Sequence, residues 1–415
     1  MTIWEDLICD GICCGRLPYN HPVLMPHRET EGKILMKQKL LLQNATVYTM
    51  QAEPFIGDIL LEDGKIAAVG SRVIAPDAEV EDMTGTHIMP GLIDAHCHTG
   101  LLGSGSRDRN HNESSNPITP QMRAIDSIDP EDIAFREAVS GGVTTSITGP
   151  GSINLIGGTF AAVKNYGNTV EKMLIDPAIA MKAALGENPI FRYTEQKRAP
   201  VSRMGVAACI RQALASATVY APGPNHRDLA MEALQPVLER KMPLKIHCHK
   251  SNDIMTAVRI CDEFGIRYTL DHCTEGFLVT DALLEALQRN CEGIIIGPLV
   301  GYKGKHETSN RIGWDLARVF CEAGIPYAIM TDFYELPTES LISCAAFTAA
   351  CGVPEDTALK SVTLTAAKIV GLSHRIGSIA PGIDADLAVF SGHPLQIQSR
   401  CIRTYIDGRL VYSRT

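Results

Sequence analysis

The strongest constraint on this chain is an alternation through its middle: short apolar runs of strand length separated by amphipathic stretches of helical period. The runs are His87–Ala95, Val143–Thr148, Leu155–Val163, Ala178–Leu185, Leu244–His247, Tyr268–His272, Gly293–Pro298 and Tyr327–Asp332. Helical patterns lie between them at Pro130–Val139, Arg227–Arg240, Asp253–Phe264, Asp281–Arg289 and Trp314–Ala323. Near-continuous apolar runs are the pattern of parallel strands covered on both faces. Such strands alternating with helices favour an α/β fold, a (β/α)8 TIM-like barrel, over an open doubly wound sheet. Side chains at the C-terminal ends of barrel strands converge on one face, where this architecture keeps its chemistry.

The two ends of the chain read differently. Asp63-Gly64 separates the apolar runs Asp58–Leu61 and Lys65–Val69, and Asp407-Gly408 separates Arg403–Ile406 from Leu410–Tyr412. Asp-Gly between apolar runs is a hairpin signal. Two β-rich ends flanking a long middle predict a small β-sandwich formed by both chain termini, residues 37–88 and 376–415, beside a barrel over 89–375. A length of 415 residues suits a barrel of roughly 250–300 residues with a satellite domain. Residues 1–36 lack the basic and apolar regions of a signal peptide and read as an N-terminal extension, with the recognisable pattern starting near Met36.

Charge and cysteine content narrow the function classes. The net charge of −9 is spread among interspersed acids and bases, so nothing points to nucleic acid or to an anionic membrane. No apolar run is long enough to span a bilayer. The 13 cysteines form no CxxC pair, and Cys97, Cys248 and Cys273 lie inside strand runs, which suits reduced thiols in the cytoplasm. Cys9, Cys13 and Cys14 would make half a zinc knuckle, but no second pair follows.

Metal-binding side chains end the strand runs one after another. His96 and His98 close the first; on a strand, positions i and i+2 face the same side. A lone His-x-His is weak, because paired strand histidines are often structural. The weight comes from His247, His272 and Asp332, each at a later strand end. Neutral imidazole and carboxylate together suit zinc or a similar divalent ion. His247 ends its apolar run and is the preferred ligand there, leaving His249 further out to orient substrate. Asp332 has two compatible roles, ligand and proton carrier: a divalent cation lowers the pKa of bound water and polarises a carbonyl, and the carboxylate moves the proton to the leaving nitrogen.

The motif Pro90-Gly91-Leu92-Ile93-Asp94-Ala95-His96-Cys97-His98, the strand-end His247 and His272, and Thr331-Asp332 resemble the amidohydrolase superfamily, in particular its imidazolonepropionase-like and prolidase-like branch. Thr363–Lys368 and Gly377–Leu387 extend the match, which runs from about Lys39 to the C-terminus. The resemblance implies a metal-dependent hydrolase with one or two divalent ions, zinc before manganese, iron or nickel, and a homo-oligomer. In two-metal members a carboxylated fourth-strand lysine or a glutamate bridges the ions; here Lys182 and Glu187 both qualify.

Substrate contacts are sought on the loops at the barrel mouth. Gly100–Ile128 is a long polar segment placed to cover it. Asn112, Glu113, Asn154, Gly157 and Gly158, and Lys303, Lys305, His306 and Glu307 are the candidate contacts. The lysines would suit a substrate carboxylate. Gly149-Pro150-Gly151-Ser152 reads as a turn. The leading function is hydrolysis of a C–N bond in a cyclic amide, imide or dipeptide-like small molecule. A heterocycle deaminase could use the same centre, and a non-catalytic scaffold is the competing reading of another class.

Overall fold

The computed structural model describes residues 39–102, 109–223, 227–299 and 306–414. The N-terminal extension and Lys303 and Lys305 lie outside these described residues. Before the barrel come β1 (Lys39–Val47), β2 (Phe55–Glu62), β3 (Lys65–Gly70), β4 (Glu79–Asp82) and β5 (His87–Pro90). The barrel follows as β6 (Leu92–Cys97), β7 (Val143–Thr148), β8 (Ile156–Lys164), β9 (Leu174–Ala184), β10 (Leu244–Cys248), β11 (Tyr268–His272), β12 (Cys291–Ile296) and β13 (Tyr327–Ile329). The chain closes with β14 (Leu387–Phe390), β15 (Cys401–Ile406) and β16 (Arg409–Ser413).

Both ends of the chain do enter one sheet, in the order β16-β15-β14-β5-β1-β2-β3, with β4 added alongside β1. Asp63 and Gly64 have φ of 50° and 78°, and Asp407 and Gly408 have φ of 48° and 72°. Positive φ at both central residues is what a two-residue hairpin with the strand twist requires. Leu42, Val47, Ile59, Leu61, Ile66, Ile88, Leu387, Val389 and Tyr405 form this sheet's own buried cluster.

The second sheet runs β6 to β13 in sequence order and nearly closes on itself. Its seam is stitched by Asp332 N to His96 O (3.2 Å) and His98 N to Phe333 O (3.0 Å). The buried Asp94 carboxylate adds to it, accepting from Thr331 N at 3.2 Å and from the Thr331 hydroxyl.

Two expectations need correction. The run His87–Ala95 is two strands, because β5 pairs with β14 in the terminal sheet and the chain then crosses to the barrel at Gly91. A Cβ on Gly91 would lie 2.2 Å from Thr144 Oγ1, so only glycine fits that crossing. The run Leu155–Val163 becomes β8, which is antiparallel to both β7 and β9. The segment joining β7 to β8 is too short for a crossover helix, so the chain turns back as a meander. Among the described residues no helix is long and apolar enough to cross a membrane.

Candidate metal centre

The centre forms where the barrel strands end. His96 is fully buried, and its Nδ1 donates to Asp271 Oδ2 at 2.6 Å. Asp271 is held in turn by Lys245 Nζ at 3.1 Å. His98 Nδ1 donates to the Gly149 carbonyl at 2.7 Å. With Nδ1 bound in each ring, Nε2 is left as the electron-pair donor, which is how second partners orient metal-ligating histidines. Both Nε2 atoms converge on Asp332 Oδ1, at 3.5 and 3.4 Å.

Across the mouth, His247, His249 and His272 form a second group whose donor atoms all lie within 4.8 Å of one another. His272 Nδ1 donates to the Gly297 carbonyl at 2.7 Å. His247 Nδ1 pairs with the Ser152 hydroxyl at 2.9 Å, and His249 Nδ1 with the Thr274 hydroxyl at 2.7 Å. The two groups are neighbours: the His96 and His272 rings are 5.8 Å apart, centroid to centroid.

Local backbone explains why residues from different registers meet. His272, Cys273 and Asp332 have φ of 71°, 45° and 53°, the left-handed region that non-glycine residues rarely occupy. Strain of this kind is kept where surrounding structure fixes it and where it aims a functional side chain. The steps at His272 and Asp332 break strand alternation, so Asp271 and His272 both serve the centre despite being adjacent.

The electrostatics suit a cation. Burial, reinforced by the Lys182 charge, holds the His96 imidazole well below its ordinary pKa, and burial lowers His272 to about 4. Both rings are therefore neutral near neutral pH. Burial tends to raise the Asp332 carboxyl, but the His98 hydrogen bond and the neighbouring imidazoles outweigh it and hold its pKa well below the ordinary carboxylate range. The Nε2 atoms of His96 and His272 are buried without a hydrogen-bond partner, as is Nζ of Lys182. Burial lowers the Lys182 amine to about 8. Unsatisfied polar atoms inside a protein are rare, and here they share one space. Among them, the neutral imidazoles of His96 and His272, beside the Asp332 carboxylate, are donors of the kind that could hold a divalent ion.

The other predicted site residues fall in several places. Glu187 is the first residue of a helix, Glu187–Glu195, and its Oε2 accepts from Glu307 N at 3.1 Å. Asn154 is buried and gives its amide to the Glu113 and Asn116 carbonyls and to Thr119 Oγ1, so it ties down the long loop after β6. Glu113 is exposed and its carboxylate turns back to Ser115 N. Asn112 accepts from Ile153 N at 3.4 Å, packing that loop on the 149–152 turn. Gly157 and Gly158 lie in β8, and His306 is exposed.

Several residues of the centre escaped the sequence reading. Asp271 was visible only as the neighbour of His272. Ser152 and Gly149 read as mere turn residues, yet each holds an imidazole, of His247 and His98 respectively. His111, from the long loop, is buried with its ring centroid 5.4 Å from that of His98, and burial lowers its pKa to about 3. Nothing in the pattern of that polar loop singled it out.

The sequence profile of the amidohydrolase family matches residues 87–411. The chain belongs to the amidohydrolase family. It is 36% identical to an amidohydrolase from Thermotoga maritima, whose crystal structure superimposes with a TM-score of 0.87 over 90% of this chain and 100% of that one. It is 28% identical to the amidohydrolase tasK of Hapsidospora irregularis over 89% of this chain but 42% of that protein, so the chain spans under half of that relative. An imidazolonepropionase from Geobacillus kaustophilus is 26% identical over 81% of this chain and 84% of its own length. A prolidase complexed with N-methylphosphonate-L-proline shares the fold, with a TM-score of 0.61 at 20% identity over 91% of this chain and all of that one.

Proposed function

We propose that this chain hydrolyses a C–N bond in a cyclic amide, imide or dipeptide-like small molecule, with divalent metal, zinc first among the candidates, held by His96, His98, His247, His272 and Asp332. The observation that carries the reading is the common inward aim of Nε2 on His96, His98 and His272, each fixed by a hydrogen bond at Nδ1. The metal supplies Lewis acidity, polarising the scissile carbonyl and acidifying water. The protein contributes the rest. Asp332 takes a proton from the attacking water and delivers it to the departing nitrogen, acting as general base and then general acid. Asp271 keeps His96 in the tautomer that points Nε2 inward, and Gly297 does the same for His272.

Between the two candidate bridging groups, the arrangement favours Lys182. Its amine is buried beside His96 and His272, whose pKa values its charge lowers, whereas the Glu187 carboxylate is engaged by Glu307 N. A cavity lined by His272, Thr274, Leu299 and Arg311 opens next to the centre. Arg311 there offers a substrate carboxylate the cationic partner first sought in Lys303 and Lys305. The reading divides the chain into an extension over 1–36, a β-sandwich unit from 37–88 and 376–415, and a barrel over 89–375. It places the chain in the cytoplasm, consistent with free thiols at the described cysteines.

The test is a screen of metal-loaded protein against N-acyl amino acids, dipeptides and cyclic ureides. A new carboxylate without ammonia is expected; ammonia release from a heterocycle would replace the hydrolase by a deaminase.

A further inference from the structure

We propose that His111 is a catalytic residue of this centre: its imidazole donates a hydrogen bond to the oxygen next to the departing nitrogen, the second carbonyl of an imide. The inference rests on the hydrolase reading above. It adds to that reading a side chain that stands at no strand end and belongs to no histidine pair of the sequence.

His111 comes from the long polar loop after β6, yet the residue is only 7% exposed. Its ring lies 5.4 Å from that of His98 and 5.9 Å, edge-on, from that of Tyr334, centroid to centroid. His98 Nε2 in turn faces Asp332 Oδ1 at 3.4 Å, and Tyr334 follows Asp332 by two residues. His111 therefore stands on the Asp332 side of the mouth, where the departing nitrogen takes up its proton. A buried histidine that serves only packing has partners for its ring nitrogens. Nδ1 of His111 is enclosed by protein and has no hydrogen-bond partner. One bond is left for an incoming group to make.

The ring is fixed from several directions. Gly151 N donates to the His111 carbonyl at 2.6 Å, Asn110 N to the Leu101 carbonyl at 2.9 Å, and Ile153 N to Asn112 Oδ1 at 3.4 Å. Residues on both sides of His111 are thus tied to the turns after β6 and β7. Gly151 makes room beneath: a Cβ there would come within 2.8 Å of His111 Cδ2 and 2.6 Å of the Asn112 side chain. From outside, the Arg109 guanidinium lies 5.8 Å from the Tyr334 ring centroid, a cation–π contact that steadies the ring His111 packs against. A donor placed in advance is worth most where charge develops in the transition state. When water attacks an imide carbonyl and the C–N bond breaks, the bonding electron pair moves onto the nitrogen and its remaining carbonyl. The proton that Asp332 takes from the water goes to that nitrogen. His111 keeps its own proton and holds the remaining carbonyl oxygen by a hydrogen bond.

The experiment compares glutarimide with valerolactam, the same ring without the second carbonyl, on the metal-loaded full chain. It reads kcat/KM for each substrate and the metal content of every variant. His111→Phe keeps a flat ring and loses the donor. It should lower the ratio of glutarimide to valerolactam kcat/KM about 100-fold, the loss typical of removing one preorganised oxyanion donor. His111→Asn sets an amide nitrogen where Nδ1 stood and should restore most of the ratio. His111→Gln, whose amide reaches the Nε2 position instead, should not. Metal content should equal that of wild type in all three. Equal losses on both substrates, rescue by His111→Gln as good as by His111→Asn, or loss of metal in His111→Phe would overturn the proposal, making His111 a structural support. If wild type leaves valerolactam untouched, the contrast of His111→Asn with His111→Gln on glutarimide decides. A wild-type chain that cleaves dipeptides or N-acyl amino acids but not glutarimide overturns the proposal and leaves the hydrolase reading standing. One that cleaves none of these removes both.

Discussion

Two regions of this molecule bury charge, and they treat it in opposite ways. Where β8 meets the C-terminal segment, Lys164 Nζ contacts Asp386 at 2.5 Å, Asp384 at 3.0 Å and Asp407 at 3.1 Å. Asp384 is further bound by Arg375 at 2.9 Å and by Lys65. Each buried charge there has partners among its neighbours. At the barrel mouth the donors of His96, His272 and Lys182 are equally buried and point into shared space without hydrogen-bond partners. A compensated cluster holds the terminal sheet to the barrel; an uncompensated one is prepared for something that arrives. The contrast repeats within a single strand pair. Lys182 and Lys245 stand opposite each other on β9 and β10, both buried, yet of the two only Lys245 makes a direct ion pair among the described residues, with Asp271.

The sharpest way to break this comparison is at the mouth. Asp332→Asn should cut turnover on any C–N substrate by about 10²–10⁴-fold through loss of the proton carrier, with most metal retained. Steady-state kinetics beside metal analysis checks it, and parallel loss of metal and rate would reduce Asp332 to a ligand. Next in size, Lys245→Met should destabilise the fold by roughly 3–5 kcal/mol, because Asp271 keeps its buried charge and loses its cation. Denaturant unfolding measures this.

At the compensated cluster, Asp384→Asn should cost about 3 kcal/mol near neutral pH. Burial alone would raise the Asp384 carboxyl, but Lys164, Lys65 and Arg375 more than offset it and hold the pKa below its ordinary value. A lowered folded pKa adds stability that is fully present above the unfolded value, about 4, and is lost as pH falls through the folded one. The gap between wild type and Asp384→Asn should therefore shrink as the solution is acidified below about pH 4. A gap that stays constant down to pH 2 would remove the linkage.

The smallest effect on stability is expected at Lys182. Lys182→Met removes a buried amine with no hydrogen bond to lose, so unfolding should shift by under about 1 kcal/mol in either direction, while metal content falls. A loss as large as that of Lys245→Met would mean the two lysines are structurally alike after all.

Much of this was legible in the sequence. The Asp63-Gly64 and Asp407-Gly408 hairpins follow from local backbone chemistry, and His96, His98, His247, His272 and Asp332 stand at strand ends whose convergence is a property of barrels. Elements that depend on non-local geometry were less visible. The run of β8 has the composition of a parallel strand, and only the short segment before it hints at reversal. His249 shares a strand face with His247 by simple alternation and joins His272 in three dimensions. Asp271 and His111 enter the centre through a left-handed step at His272 and through the fold of a long loop, neither of which composition encodes.

The account depends on the inward-facing histidines being ligands. Its most direct test is the metal content of the chain purified without chelator, for wild type, His96→Ala and His272→Ala. Zinc or a related divalent ion should accompany the wild type in at least stoichiometric amount and fall in both variants. Wild-type protein that carries no metal and takes up none on addition, or variants that keep the full complement, would contradict it.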